Sequence, residues 1–196
     1  MLRTKLIAVA GAGLLLLVAG CSGESNPAGV RLTGDDGPSY VTSDGSSRVI
    51  RVDQRLPAPA VSGVTLEGQD LALADFADEV VVVNVWGSWC SPCRAEAPIL
   101  QEVYSEARKR GVEFLGINTR DQKAAAIAFE KNFGVTYPSL VDETGELQLA
   151  FREFLPSNAI PSTLIIDRDG LVAARVLGAT TYSQLTDLVD QVASER

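Results

Sequence analysis

The stretch that most constrains the fold is residues 80–100, which read VVVVNVWGSWCSPCRAEAPIL. Valine fills five of its first six positions, interrupted only by Asn84. A β-branched run of this length is typical of a strand buried on both faces, as in a parallel sheet. Cys90 and Cys93 follow a short turn and begin a segment with helical apolar spacing, which predicts a helix that ends at Gly111. A Cys-x-x-Cys pair where a buried strand passes into a helix predicts a redox site.

The start of this helix gives the physical reason for that interpretation. The first N–H groups of a helix are unpaired and its dipole is positive there, so a thiolate is stabilised. The thiolate is the species that attacks disulfides. We therefore assign Cys90 as the attacking nucleophile and Cys93, one turn later, as the thiol that resolves the mixed disulfide. Pro92 suits the first turn, because the N–H that it lacks would be unpaired there.

The same cysteines also allow a metal site or an inert structural disulfide. A zinc site normally needs four ligands from cysteine and histidine. The chain has three cysteines and no histidine, and we assign Cys21 to another role. A closed zinc site of these ligands within one chain is therefore excluded, and we expect no bound metal or cofactor. Two-coordinate Cu(I) stays open, because soft thiolates select it.

The N-terminal segment has the pattern of a leader. Two basic residues within residues 1–5 precede an apolar run over residues 6–19. The run is about 14 residues, short of the ~20 that a membrane-spanning helix needs, and it fits a secretory signal peptide over residues 1–20. Small residues directly before Cys21 resemble a bacterial lipobox, whose cysteine becomes lipidated; the alternative is an ordinary anchor with an incidental cysteine. We expect a lipid anchor on Cys21 that holds the protein on the extracytoplasmic side of a cell membrane.

The remaining chain divides into a tether and one folded domain. Residues 21–52 are rich in Gly, Ser, Asp, Asn and Pro and predict a flexible tether, with a weak hairpin signal at residues 43–45. Residues 53–196 form the predicted domain, which we expect to be monomeric. The formal net charge of −8 argues against nucleic acid or anionic lipid as a partner.

Periodicity predicts an α/β domain. A hairpin is expected over residues 64–73 and a second one at Asp169–Gly170. Further strands are predicted at residues 112–118, 135–141, 164–166 and 171–176, and further helices at 121–133, 146–151 and 183–193. For the helix at 121–133 we expect a buried face of Ala124, Ile127, Ala128 and Phe133. The alternation indicates crossover connections and a mainly parallel sheet.

The motif NVWGSWCSPCRAEAP resembles the active site of the TlpA/ResA/DsbE-like branch of the thioredoxin superfamily. The resemblance extends from about residue 57 to the C-terminus. It implies a thioredoxin-like fold: a central mixed sheet flanked by helices, with an N-terminal β-hairpin and a central αβ insertion at residues 121–151. It also implies a membrane-tethered, extracytoplasmic thiol-disulfide oxidoreductase that uses a Cys90–Cys93 disulfide.

Other site residues follow from the resemblance. Trp89 matches the tryptophan before the first cysteine and is expected at the rim around Cys90. Ile160–Pro161 matches a pair with a cis peptide that faces the cysteines and exposes the backbone of Ile160 to an extended substrate segment; the alternative is a trans proline that begins an edge strand. Asn84 stands where cytoplasmic thioredoxins have a buried aspartate. Glu96 matches a glutamate beneath the site.

Glu96 has two interpretations. It is either a solvated glutamate in the first helical turn, or a partly buried carboxyl with a raised pKa that moves protons to or from Cys93. Because the chain has no histidine, few groups can transfer protons near neutral pH. This favours the second interpretation.

The resemblance implies protein thiols and disulfides as substrates, with apocytochrome c among them, and a membrane electron-transfer protein as the redox partner. The direction of exchange is not fixed by the sequence. A Cu(I) chaperone and a thiol peroxidase of the same fold are the alternatives. Related copper carriers add a downstream histidine, and peroxiredoxins place a threonine three residues before the attacking cysteine, where this chain has Gly87.

Overall fold

The computed structural model describes residues 30–34, 37–41 and 46–195. Eight of the strands in this part of the chain form one sheet and two form a separate hairpin. The strands are β1 (Val30–Gly34), β2 (Gly37–Val41), β3 (Ser47–Val49), β4 (Ser62–Val64), β5 (Asp70–Ala72), β6 (Val80–Trp86), β7 (Val112–Thr119), β8 (Ser139–Asp142), β9 (Ser162–Ile166) and β10 (Val172–Leu177). The helices are α1 (Ser91–Ala107), α2 (Lys123–Phe133), α3 (Glu146–Ala150) and α4 (Tyr182–Ser194).

The large sheet is mixed and has the order β1-β2-β3-β10-β9-β6-β7-β8. β6 pairs with β7 and β7 with β8 in parallel, as crossovers through α1 and α2 require. β6 pairs antiparallel with β9, which forms a hairpin with β10 across the turn at Gly170. The predicted central mixed sheet and the β4–β5 hairpin are confirmed. The expectation of a mainly parallel sheet is wrong, because the hairpin reverses the chain direction beside β6.

The valine strand lies in the interior of the sheet, and all seven of its residues are buried. Its even-numbered valines face the cluster that contains α1 and α4, and its odd-numbered valines face the cluster around Phe151. Burial of each valine on either face stabilises the fold by roughly 1.5–3 kcal/mol. The strand therefore holds the turn at its C-terminal end, where the cysteines lie, on a rigid support.

Of the three long helices that flank the sheet, α1 and α4 bury the residues that apolar spacing predicts. α1 buries Leu100 and Val103 and meets a left-handed Gly111 after one short turn. The buried face of α4 consists of Leu185, Leu188, Val189 and Val192, as periodicity predicts.

The predicted buried face of α2 is wrong at three of its four positions, and only Phe133 packs, partly buried, against the cluster that contains Trp86. Ala124, Ile127 and Ala128 are exposed, while Ala126, Phe129 and Glu130 are buried. Four of the six residues at 123–128 are alanine, so apolar residues lie on several sides of the helix. Apolar spacing alone therefore could not select the side that packs. Phe129 decides it by stacking on Trp86 of β6, with ring centroids 4.6 Å apart.

The predicted tether over residues 21–52 needs one correction. β3 lies inside it, pairs antiparallel with β10, and buries Ser47 and Val49. β1 and β2 precede β3 and extend the sheet, and β2 pairs with β3 across the predicted turn. The weak hairpin signal at residues 43–45 is consistent with this pairing, but the Gly-, Ser- and Asp-rich composition of the segment favoured a tether instead. The predicted signal peptide and Cys21 lie outside the described residues.

Candidate active site

Cys90 and Cys93 form a disulfide at the junction of β6 and α1. Cys90 is the N-cap of α1, and the backbone N–H of Cys93 donates a hydrogen bond to Cys90 Sγ over 3.1 Å. The exposed fractions are 4% for Cys90 and 1% for Cys93. Cys90 is thus the more exposed of the two residues by a small margin, and it lies where unpaired helical N–H groups stabilise a thiolate.

The first turn of α1 has a composition that favours a thiolate at its N-cap, Cys90. Pro92 occupies the first turn of the helix, which contains no acidic residue. A carboxylate in that turn would compete with the thiolate for the same positive potential. The local sequence therefore leaves Cys90 as the anion that the helix N-terminus can stabilise.

Glu96 is buried one turn after Cys93, with an exposed fraction of 1%. Its Oε1 accepts a hydrogen bond from Asn84 Nδ2 over 3.0 Å, and its Oε2 accepts one from the backbone N–H of Thr180 over 3.2 Å. Burial raises the pKa of Glu96 to about 7, although the two hydrogen bonds lower it. No lysine or arginine pairs with this carboxyl in the part of the chain that the structure describes. Glu96 can therefore gain or lose a proton near neutral pH.

Asn84 links this carboxyl to the centre of the sheet. It lies on β6, is 1% exposed, and its Nδ2 also lies 3.2 Å from Thr163 Oγ1 on β9. An amide in this position donates hydrogen bonds without adding a second buried charge. The position that holds an aspartate in cytoplasmic thioredoxins thus holds a neutral partner for Glu96 in this chain.

The Ile160–Pro161 peptide is cis, as the resemblance implies. Pro161 directly precedes β9, and its carbonyl accepts a hydrogen bond from Gly178 N–H over 2.9 Å. Ile160 is partly buried against the apolar cluster that contains Cys90 and Cys93. The structure therefore brings the proline turn and the cysteine pair to one end of the sheet.

The two tryptophans of the motif have different environments. Trp86 is 3% exposed, whereas Trp89 is 56% exposed and donates from Nε1 to the carbonyl of Arg120 over 3.2 Å. Trp89 is therefore a surface residue next to Cys90 and contributes little to the core. Its ring covers Gly87, where an added Cβ would lie 2.6 Å from Trp89 Nε1. A threonine at position 87, where peroxiredoxins place one, would therefore require this ring to move.

Sequence reasoning missed two residues that contact the site. Thr180 bonds Glu96 through its backbone, and Asp121 accepts hydrogen bonds from Ser88. A backbone donor leaves no mark in the sequence, and Asp121 has the same sequence pattern as an ordinary helix start. Among the described residues, no group of three or more acidic, cysteine or histidine side chains could hold a metal ion.

Comparison with known proteins agrees with this geometry. A family model described as "AhpC/TSA family" matches residues 55–175. The chain belongs to the AhpC/TSA family. It shares the thioredoxin-like fold of the solved structures that it resembles.

Several relatives have names that state an activity. The thiol-disulfide oxidoreductase ResA of Bacillus thuringiensis subsp. konkukian is 30% identical over 135 residues, which are 69% of this chain and 76% of that protein. The crystal structure of a DsbF homologue from Corynebacterium diphtheriae has a TM-score of 0.68 and 31% identity, and the match covers 76% of this chain and 94% of that one. A secreted thiol-disulfide isomerase from Corynebacterium glutamicum has a TM-score of 0.72 and 29% identity, and the match covers 86% and 99%.

Proposed function

We propose that this family member is a thiol-disulfide oxidoreductase that exchanges the Cys90–Cys93 pair with protein substrates outside the cytoplasm. The observation that carries the proposal is the disulfide at the N-terminus of α1, with the buried carboxyl of Glu96 one turn further along the same helix. The names of the relatives support the same activity.

The proposed chemistry has two displacement steps. In the reducing direction, the Cys90 thiolate attacks one sulfur of a substrate disulfide, the substrate S–S bond breaks, and the leaving thiolate takes a proton from solvent. Cys93 then gives its proton to the Glu96 carboxylate, and its thiolate attacks Cys90 Sγ, which breaks the mixed disulfide and releases the second substrate sulfur as a thiolate that takes a proton from solvent. Two electrons have moved from the protein to the substrate, and the protein holds the Cys90–Cys93 disulfide.

Substrate positioning involves the proline turn and the exposed indole. We assign the backbone of Ile160, held by Pro161, to pairing with an extended substrate segment. Trp89 supplies an exposed aromatic surface beside Cys90. Because both cysteines are nearly buried, we infer that a substrate has to present its disulfide on an extended segment that can approach Cys90 closely.

We propose reduction as the working direction, with apocytochrome c as a substrate and a membrane protein as the electron donor. A strong oxidant stabilises its dithiol form through the thiolate. In this protein the buried Glu96, which carries negative charge above about pH 7, disfavours a second negative charge on Cys93. We infer that this effect, which favours a more reducing pair, outweighs the stabilisation of the Cys90 thiolate by the helix N-terminus, which acts in the oxidising direction.

We also propose a lipid anchor at Cys21 after removal of residues 1–20, with a monomeric domain on the extracytoplasmic side of the membrane. The support is the leader pattern of the sequence and the word "secreted" in the description of the Corynebacterium glutamicum relative. In the residues that the structure describes, no helix combines the length and apolarity needed to cross a membrane. Mass spectrometry of the membrane-extracted protein is the test: a diacylated N-terminal Cys21 is expected, and an unmodified cysteine would contradict the anchor.

Insulin reduction with single cysteine variants tests the proposed activity. Cys90→Ser should abolish turnover, Cys93→Ser should trap a mixed disulfide on Cys90, and Cys21→Ser should behave like the parent protein. Cu(I) titration and peroxide consumption are measured on the same samples. Tight Cu(I) binding or peroxide turnover without insulin reduction would replace the proposal with one of the two alternatives.

A further inference from the structure

The turn before Cys90 is held by a carboxylate from another part of the chain. Ser88 donates two hydrogen bonds to Asp121: its backbone N–H to Oδ2 over 2.6 Å and its Oγ to Oδ1 over 2.8 Å. Asp121 also accepts from Asn118 Nδ2 over 2.9 Å and from the backbone N–H of Gln122 over 2.8 Å. Four donors thus converge on one carboxylate, two of them from the residue that lies two positions before Cys90.

Asp121 is ionised at neutral pH. Burial raises its pKa, but the hydrogen bonds from Asn118, Ser88 and Gln122 outweigh burial and hold the pKa below its usual range. Hydrogen bonds to a charged acceptor are roughly twice as strong as those between neutral groups. The contact is therefore strong enough to hold a turn that lies half in solvent.

The segment that carries Asp121 is itself anchored. Arg120 has a left-handed backbone with φ of 49°, and its N–H donates to the carbonyl of Asp142 on β8 over 2.9 Å. The Arg120 carbonyl accepts the indole N–H of Trp89 over 3.2 Å. Ser88 and Trp89, the two residues before Cys90, are thus both bound to residues 120–121.

These residues open the αβ insertion, which a minimal thioredoxin fold does not require. Without the insertion, the segment before Cys90 would keep two hydrogen bonds within the β6–α1 unit, from Cys90 N–H to the Gly87 carbonyl over 3.1 Å and from Arg94 Nη1 to the Ser88 carbonyl over 3.2 Å. The insertion adds the contacts to Ser88 and Trp89 from outside the β6–α1 unit. The insertion therefore contacts both residues that directly precede Cys90.

We propose that Asp121 is a positioning residue for disulfide exchange, because its carboxylate fixes Ser88 and so keeps Cys90 Sγ at the N-terminus of α1. The inference rests on the proposed nucleophilic role of Cys90. Asp121 does not touch the sulfur in this scheme; it restricts the turn that presents the sulfur to the helix N–H groups.

The direction in which the pKa of Cys90 shifts in an Asp121 variant separates this positioning role from a simple charge effect. If Asp121 acts only as a nearby negative charge, then Asp121→Asn removes a repulsion and lowers the pKa of Cys90. If Asp121 positions the turn, the substitution frees Cys90 from the helix N-terminus and raises that pKa. The two roles thus predict opposite shifts in the same titration.

The experiment is the pH dependence of Cys90 alkylation in the reduced, full-length protein. We expect Asp121→Asn to raise the pKa of Cys90 by about one unit, so that alkylation at pH values well below this pKa, where the rate follows the thiolate fraction, slows about tenfold. Asp121→Glu keeps the charge and should restore part of the rate. Asp187→Asn removes an exposed aspartate of α4 and is the matched control, for which no change is expected.

Ser88→Ala keeps the test decisive if Asp121→Asn does not fold. It removes the Oγ contact and retains the backbone N–H contact, so a smaller slowing in the same direction is expected. An unchanged or lowered Cys90 pKa in a folded variant would overturn the proposal. Failure of the proposed function gives a different result, in which the parent protein itself reduces no disulfide.

Discussion

Asn84 Nδ2 lies 3.0 Å from Glu96 Oε1, and both side chains are 1% exposed. Asn84, on the central strand β6, thereby donates a hydrogen bond to Glu96, which follows Cys93 by one helical turn. Because the donor is neutral and burial is strong, this carboxyl titrates near neutral pH. The proposed proton transfer between Cys93 and Glu96 depends on this pair.

Glu96→Gln should slow the step in which Cys93 resolves the mixed disulfide, because glutamine cannot accept the thiol proton. In the parent protein the rate of this step should rise through about pH 7 as Glu96 ionises. In the variant that rise should disappear and leave only the titration of the thiols. Stopped-flow measurement of mixed-disulfide decay over a pH series provides the test.

Glu130→Gln is the matched control for this prediction. Burial also raises the pKa of Glu130 to about 7, but this residue lies on α2 and has no assigned role in the exchange. We expect the pH profile of mixed-disulfide decay to be unchanged in Glu130→Gln. Equal slowing in both variants would show that Glu96 acts through general electrostatics.

The free energy of unfolding should depend on Glu96 with a definite sign. The carboxyl has its ordinary pKa near 4.5 in the unfolded chain and a pKa of about 7 in the folded one. The folded state therefore holds the extra proton between these values, and stability falls as the pH rises through this window. Glu96→Gln should gain up to about 3 kcal/mol relative to the parent between pH 4.5 and 8, measured by denaturant unfolding. A difference between the two proteins that does not vary with pH would contradict the raised pKa.

Asn84→Ala should raise the pKa of Glu96 further, because it removes a hydrogen bond that favours the ionised form. The midpoint of the pH profile for mixed-disulfide decay should move up by about one unit, as expected for one lost hydrogen bond. Thr163→Val is the control, since it removes a neighbour of Asn84 and leaves the Asn84–Glu96 contact in place. A downward shift in Asn84→Ala would refute the assigned role of Asn84.

Arg55→Ala should destabilise the domain without changing the cysteine chemistry. The Arg55 side chain is 3% exposed and pairs with Asp167 over 2.9 Å and with Glu195 over 2.6 Å. Removal of one partner of a buried ion pair leaves an uncompensated charge and costs about 3 kcal/mol. Arg110→Ala breaks an exposed pair with Asp190 and should cost less than about 1 kcal/mol. Equal losses in the two variants would contradict the importance of the Arg55 pair.

Sequence patterns were sufficient where one short-range signal decided the outcome. The valine run predicts β6, and the spacing of Leu185, Leu188 and Val192 predicts the buried face of α4. They failed for α2, because its alanines offer several apolar sides and contact with Trp86 selects among them.

The partners of the site residues were harder to predict than the residues themselves. Glu96 meets a backbone N–H from Thr180, which is 84 positions away, and Ser88 meets Asp121, 33 positions away. Contacts of this kind depend on how β6, α1 and the insertion are placed in three dimensions. The motif identifies Cys90, Cys93 and Glu96, whereas the fold identifies the groups that adjust their chemistry.

The reduction potential of the Cys90–Cys93 pair tests the central claim most directly. The purified protein is equilibrated in buffers of defined dithiol and disulfide ratio, and the fraction of the disulfide form is measured. We predict a reversible two-electron couple near the thioredoxin range, roughly −270 mV. A potential near roughly −120 mV would contradict the reducing direction. The absence of any reversible couple would contradict thiol-disulfide exchange itself.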